Sequence, residues 1–295
     1  MYQTSCHDKF FVVVHSPTAE RESSPSTLVT VNEDQCREAI SLMKHSSDEE
    51  TVKQKMKLTF EYRKKMTHDP SKCSTILTKF PRFLDVKGLI EQDFVLLFGE
   101  GISAKFLEVW PTTFKQNIIM LNKTLSKATQ GAELQELIQM AEYAVDEGAD
   151  TNADGWDGDL SSILLLLHLI PPSSQGRKRP GKMSASQAEQ HLVIFQKAGT
   201  SIQEHLDAID QRRQPYLLAV GTRKRSIHAY FIILDKQVLP CKSTSALGAF
   251  DELFKTHFVF GTAYNTMLRN MHTFIQTSVY NIDIVGKSRN CQENP

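Results

Sequence analysis

Apolar residues recur at helical spacing from Glu49 onward. Val52, Met56, Phe60 and Arg63 stand at i, i+4, i+8 and i+11, and Asp69-Pro70 ends the pattern. Helical runs follow at Gly88–Phe98, closed by Gly99, at Ser103–Trp110, with Ser103 as N-cap and Pro111 as stop, and at Thr113–Ser126. Ala132–Glu147 carries the cleanest stripe, Leu134, Leu137, Ile138, Ala141, Ala144 and Val145, with Gly148 where a C′ glycine belongs. Leu160–Ile170 reads LSSILLLLHLI and is apolar on nearly all sides, which predicts a central core helix stopped by Pro171-Pro172.

The second half changes period. Ser184-x-x-Gln187 and Ser186-x-x-Glu189 are capping boxes that predict a helix running to Ala198, and Thr200-x-x-Gln203 starts another with Ile202, Leu206 and Ile209 inward. Tyr216–Val220 and Ile227–Leu234 are β-branched and aromatic runs on either side of a basic turn, which predicts a hairpin; Val238–Cys241 is a short third strand. A helical pattern, an apolar His257–Phe260 run and a longer helix complete the block.

The pattern predicts an α+β protein: a mainly helical N-terminal region, then a small antiparallel C-terminal sheet packed by helices. Residues 1–49 are expected to be poorly ordered, with a short helix near Glu33–Lys44. A helical domain spans 50–170, a basic Pro/Gly/Ser linker 171–186, an α+β domain 187–285, and a frayed tail 286–295.

Composition narrows the class. The 295 residues are 40% hydrophobic and 23% charged, a globular balance, and 34 basic residues offset 34 acidic ones. The total therefore gives no dominant attraction to nucleic acid or membrane. The longest apolar run is far short of the roughly 18 residues of a membrane span. Five cysteines, Cys6, Cys36, Cys73, Cys241 and Cys291, are widely spaced without a C-x-x-C pair. That pattern fits reduced thiols in the cytoplasm or nucleus. The sequon Asn122-Lys123-Thr124 carries no weight without secretion.

Charge is unevenly placed. Lys53, Lys55, Lys57, Arg63, Lys64 and Lys65 crowd one helix, read as a solvated outer face. Arg177, Lys178, Arg179 and Lys182 lie in the linker, and Arg223, Lys224 and Arg225 at the hairpin tip. Together these are the candidate phosphate contacts, and the linker cluster is also a candidate import signal. The opposite sign gathers between Glu142 and Asp159. There, Asp150-Thr151-Asn152-Ala153-Asp154-Gly155 copies the first half of an EF-hand loop. Its twelfth position is Ser161, which lacks the bidentate carboxylate a calcium cage needs, so the stretch reads as an acidic linker with Asp159 capping the next helix.

Reaction chemistry is not legible. No phosphate-binding glycine loop, H-E-x-x-H, nucleophile elbow or zinc-finger spacing occurs, and no cofactor or metal site is expected. His168 has no second ligand at i+3 or i+4, and the offsets of His205 from Asp207 and of His257 from Asp251 do not make a triad.

Four phrases carry a resemblance: FPRFLDVKGLIEQDF (80–94), LLLLHLIPP with GRKRPGK (164–182), QPYLLAVG (214–221) and FDELFKTHFVFGT (250–262). Together they resemble a lineage-expanded family of uncharacterised fish proteins, some named sterile alpha motif domain-containing proteins. The sterile alpha motif itself, a five-helix interaction module, is not evident in residues 1–50. The resemblance brings no catalytic or binding residue with it. It implies either a mobile-element passenger or a rapidly diversified host protein. The expected function is that of a non-enzymatic intracellular interaction or scaffold protein. The alternative is nucleic-acid binding through the basic clusters at 177–182 and 223–225.

Overall fold

In a computed structural model, the structure describes residues 32–69, 71–129, 131–142, 155–172, 184–209 and 214–282. The chain opens with α1 (Glu33–His45), started by a reciprocal capping box between Asn32 and Gln35. The run from Glu49 is two helices, α2 (Glu49–Leu58) and α3 (Phe60–Thr67). They part at Thr59, whose hydroxyl donates back to the Lys55 and Met56 carbonyls and competes with the helical ladder. The short α4 (Ile76–Lys79) lies between 3-10 turns at Cys73–Thr75 and Pro81–Leu84.

Next come α5 (Leu89–Phe98) and α6 (Glu100–Val109). Two local expectations fail here. Ser103 lies inside α6, buried, and its hydroxyl donates to Glu91 at 2.5 Å; Gly99 holds the N-cap position. Pro111 does not stop the helix: the backbone widens into a π turn, Trp110–Phe114, and continues as α7 (Lys115–Thr129). The sequon asparagine is interior, since Asn122 is fully buried and donates to the carbonyls of Ile118 and Leu165.

After α8 (Ala132–Glu142), α9 (Gly158–Leu169) is the core helix its composition predicts, with Leu160 and Ile163–Leu167 buried. Its cap is Asp157, which accepts from the backbone N–H groups of Asp159 and Leu160; Asp159 instead pairs with Lys115 at 2.8 Å.

The sheet has four strands in the order β1 (Val193–Lys197), β2 (Tyr216–Arg223), β3 (Ser226–Leu234), β4 (Gln237–Pro240). It is mixed rather than antiparallel throughout. The helix after Ser184, α10 (Ala185–Leu192), ends early, and Val193-Ile194-Phe195 continue as a strand parallel to β2. A parallel pair needs a crossover, and the 198–215 stretch that includes α11 (Ile202–Asp207) supplies it. The period of two then sorts β2. Leu217 and Ala219 enter the main core, while Tyr216 and Leu218 face a smaller cluster with Leu206, Ile209 and Ile233.

The main core is continuous from Cys36 to Ile282. At its centre lies α12 (Ala246–Val259), which absorbs the expected His257–Phe260 run up to Val259 and is buried along nearly its whole length. Rings from α5 and α6 close on it: Phe94 lies 5.6 Å from Phe258, and Phe106 lies 5.3 Å from Phe250. The chain then forms α13 (Arg269–Phe274) and a π turn, Ile275–Val279. No helix among the described residues is long and apolar enough to cross a membrane.

Candidate functional site

A groove of about 610 Å³ opens where the helical half meets the sheet. One wall is the segment from Cys73 to Leu84; the facing wall is Gln214 with the β3–β4 turn; the back is the Phe260–Ala263 loop that follows α12. Each wall is held in place. Leu234 pairs with Gln237, so Asp235 and Lys236 make a two-residue turn, with φ of 50° and 61°. Both sit in the left-handed region that an inward-twisting hairpin turn demands and that favours Asn-Gly. Gly261 has φ 61°, and a Cβ there would approach the Thr67 carbonyl oxygen to 3.1 Å. Phe260 is anchored by an edge-on contact with Phe83 at 4.9 Å, and the Thr262 N–H donates to the His257 carbonyl at 2.9 Å.

The interior around α12 also holds ionisable groups. Lys255 is 1% exposed and donates to both Glu91, at 2.5 Å, and Asp251, at 2.6 Å. The Tyr280 hydroxyl also donates to Asp251. Burial pushes the Asp251 carboxyl up to about 6, against the pull of Lys255. Glu252 accepts from the backbone N–H groups of Lys242 and Ser243, which pins the approach to α12. Farther off, buried Arg63 grips Asp93 through Nε at 3.0 Å and Nη2 at 2.6 Å, with its guanidinium over the Phe80 and Phe83 rings. Arg63 is thus removed from the basic helical face. These charges satisfy one another. A lysine amine held by two carboxylates in the interior cannot reach a ligand, so the network organises the fold around α12.

His257 and His272 differ from that network. Both are fully buried, with ring centroids 5.0 Å apart and each 4.9 Å from Tyr264. His257 Nδ1 meets the Thr262 hydroxyl at 3.0 Å, but His257 Nε2 and both His272 nitrogens have no hydrogen-bond partner. Burial drives the His257 pKa down to about 4; His272 is lowered by burial and then by the proximity of His257. Both rings are therefore neutral at pH 7. Among the described residues no group of three or more His, Cys, Asp or Glu is arranged to hold a metal ion.

Residues 29–86 match the helical domain of sterile alpha motif domain-containing protein 3. The match runs from α1 to the Pro81–Leu84 turn and beyond by two residues, so it includes the helical wall of the groove. Of the four phrases that carry the resemblance, the start of the first, 80–86, falls inside it. No curated protein and no solved structure matches the chain.

The basic residues singled out by sequence lie elsewhere. Arg177, Lys178, Arg179 and Lys182 fall outside the described residues, as does the Asp150–Asp154 half of the calcium-like loop. At the hairpin, Arg223 is exposed, while Lys224 and Arg225 are half-buried. The Lys224 ammonium lies 5.3 Å from the Trp156 ring centroid, and Arg225 Nη2 lies 3.1 Å from Met140 Sδ. The tip therefore leans on the helical half. Of the calcium-like loop, Asp157 is engaged as a helix cap and Ser161 is buried, its hydroxyl directed at the Trp156 carbonyl. His205 meets the Tyr216 hydroxyl at 2.8 Å rather than Asp207, and His257 meets Thr262 rather than Asp251. Sequence reasoning passed over the groove, because its residues come from four separated stretches.

Proposed function

We propose that the protein is a non-enzymatic interaction protein that acts by binding a partner, with the groove between the Cys73–Leu84 wall and the sheet as its contact site. The groove carries this reading. It has the volume of a ligand site, fixed walls, and a lining that mixes hydroxyl and amide groups with apolar side chains. The buried ion network, whose members hold one another, supports a binding role over a chemical one. An intracellular setting, cytoplasmic or nuclear, is part of the proposal. It draws support from Cys36 and Cys241, buried as single thiols. So is kinship with the sterile alpha motif domain-containing group beyond residues 29–86.

The test against nucleic-acid binding is fluorescence anisotropy with single- and double-stranded DNA and RNA at near-physiological salt. Wild type is compared with a variant neutralised at Arg177, Lys178, Arg179, Lys182 and Arg223. Weak binding by both is expected. Sub-micromolar binding that disappears in the variant, with a steep salt dependence, would replace the interaction reading by the nucleic-acid one.

A further inference from the structure

The two edges of the sheet differ. β4 lies at one edge. The Cys241 N–H donates inward to the Tyr230 carbonyl, so by alternation Pro240 faces outward, and its missing N–H removes a donor from that edge. β1 lies at the other edge. It contains no proline and keeps an unbroken register with β2. The Ala198 N–H donates to the Gly221 carbonyl at 2.8 Å. Alternate residues of a parallel ladder face the neighbouring strand. Ile194 and Gln196 therefore turn their backbone groups toward β2, and Val193, Phe195 and Lys197 turn theirs outward.

Two of these outward groups are engaged within the chain. The Val193 N–H donates to the Glu189 carbonyl and closes α10, and the Lys197 carbonyl accepts from the Thr200 N–H at 3.2 Å. The Val193 carbonyl, the Phe195 N–H and carbonyl, and the Lys197 N–H have no partner among the described residues. Ile194 and Phe195 are half-buried and Lys197 is exposed.

This remainder is complementary to itself. In an antiparallel pair of β1 strands centred on Phe195, each Phe195 exchanges N–H and C=O with the partner's Phe195. Each Lys197 N–H then meets the carbonyl of the partner's Val193. The remaining outward groups, the Val193 N–H and the Lys197 carbonyl, would face one another across the pair, and both are already satisfied within each copy. A foreign strand in that place would leave its own donor and acceptor unpaired opposite them. The two-fold also sets Lys197 against Val193, so no like charges stand opposite.

We propose that two copies of this chain associate through β1, antiparallel and centred on Phe195, into one sheet continuous across both. The proposal is independent of the groove, none of whose lining residues lies in β1. An edge contact of one short strand is small, which sets it among weak, transient interfaces.

The test is sedimentation equilibrium of the full chain at pH 7 from about 1 to about 100 μM, with amide hydrogen exchange at both ends of that range. Lys197→Pro removes the outward N–H at an exposed position and keeps the carbonyl that Thr200 uses; Lys197→Ala keeps both. Thermal melting equal to wild type shows that each variant is folded. Wild type and Lys197→Ala should dimerise alike. Lys197→Pro loses one bond on each side of the two-fold and should dimerise at least about tenfold more weakly. In wild type, the Phe195 and Lys197 amides should exchange more slowly at the higher concentration, while Ile194 and Gln196 stay unchanged. A monomer throughout the range would overturn the proposal. So would a dimer that Lys197→Pro leaves intact while exchange at Phe195 and Lys197 ignores concentration. Should Lys197→Pro melt lower, the wild-type exchange pattern decides alone: protection gained with concentration at Phe195 and Lys197 supports the pairing, and equal exchange overturns it.

Discussion

Replacing His257 by asparagine should make the protein more resistant to mild acid. The side-chain amide of asparagine can reproduce the Nδ1 contact with Thr262 while removing the group that titrates. His257 has its pKa lowered from 6.5 to about 4 by burial, so between those values the unfolded chain binds a proton that the folded chain refuses. Stability is then full above the unfolded value and is lost as pH falls toward the folded one. Between pH 7 and about pH 4.5 the loss from this residue alone is about 2.4 kcal/mol, worked from those two values at 1.36 kcal/mol per pH unit. Asp251 works in the opposite direction. Its pKa is raised from 3.8 to about 6, so the folded state gains stability as pH falls through that range. That contribution is common to wild type and variant and cancels in the comparison. His272 is lowered in part by His257 and reinforces the difference. Urea unfolding of both proteins at the two pH values measures the effect. If wild type and His257→Asn lose equal stability, within about 0.5 kcal/mol, the ring is not held neutral in the fold and the reasoning fails.

Other consequences are equally direct. Arg63→Ala leaves the Asp93 carboxylate buried without its partner and should cost about 3–5 kcal/mol, read as a fall in the urea midpoint; a cost below about 1 kcal/mol would place the pair in contact with water. Leu166→Asp puts a charge into α9, where Leu166 is 1% exposed, and should cost several kcal/mol; an unchanged melting temperature would show that α9 is not interior. Calcium should not bind tightly at 150–161, because Asp157 caps α9 and Ser161 is buried. Calorimetry showing micromolar affinity abolished by Asp150→Ala would refute this.

The order of the elements was legible in the residues because helices and strands write their period locally. The all-apolar α9, the β2–β3 hairpin and the capping box at Ser184 need only neighbours a few residues away. Where a choice depended on distant partners, the residues alone left it open. Val193–Lys197 continues a helical pattern until β2 is beside it; only then does pairing make it a strand and turn an antiparallel sheet into a mixed one. Arg63 reads as part of a basic face until Asp93 is placed against it. α12 carries Asp251, Lys255 and His257 as a surface helix would, and only the rings of α5 and α6 closing over it make it the centre of the molecule. The groove depends most on tertiary structure. Its polar groups lie on the Cys73–Leu84 segment, at the ends of strands and in the loop after α12, and no spacing along the chain relates them. Local periodicity encodes which side of an element is apolar. What that side meets is decided by packing, and a groove made from four separated stretches exists only once the packing is complete.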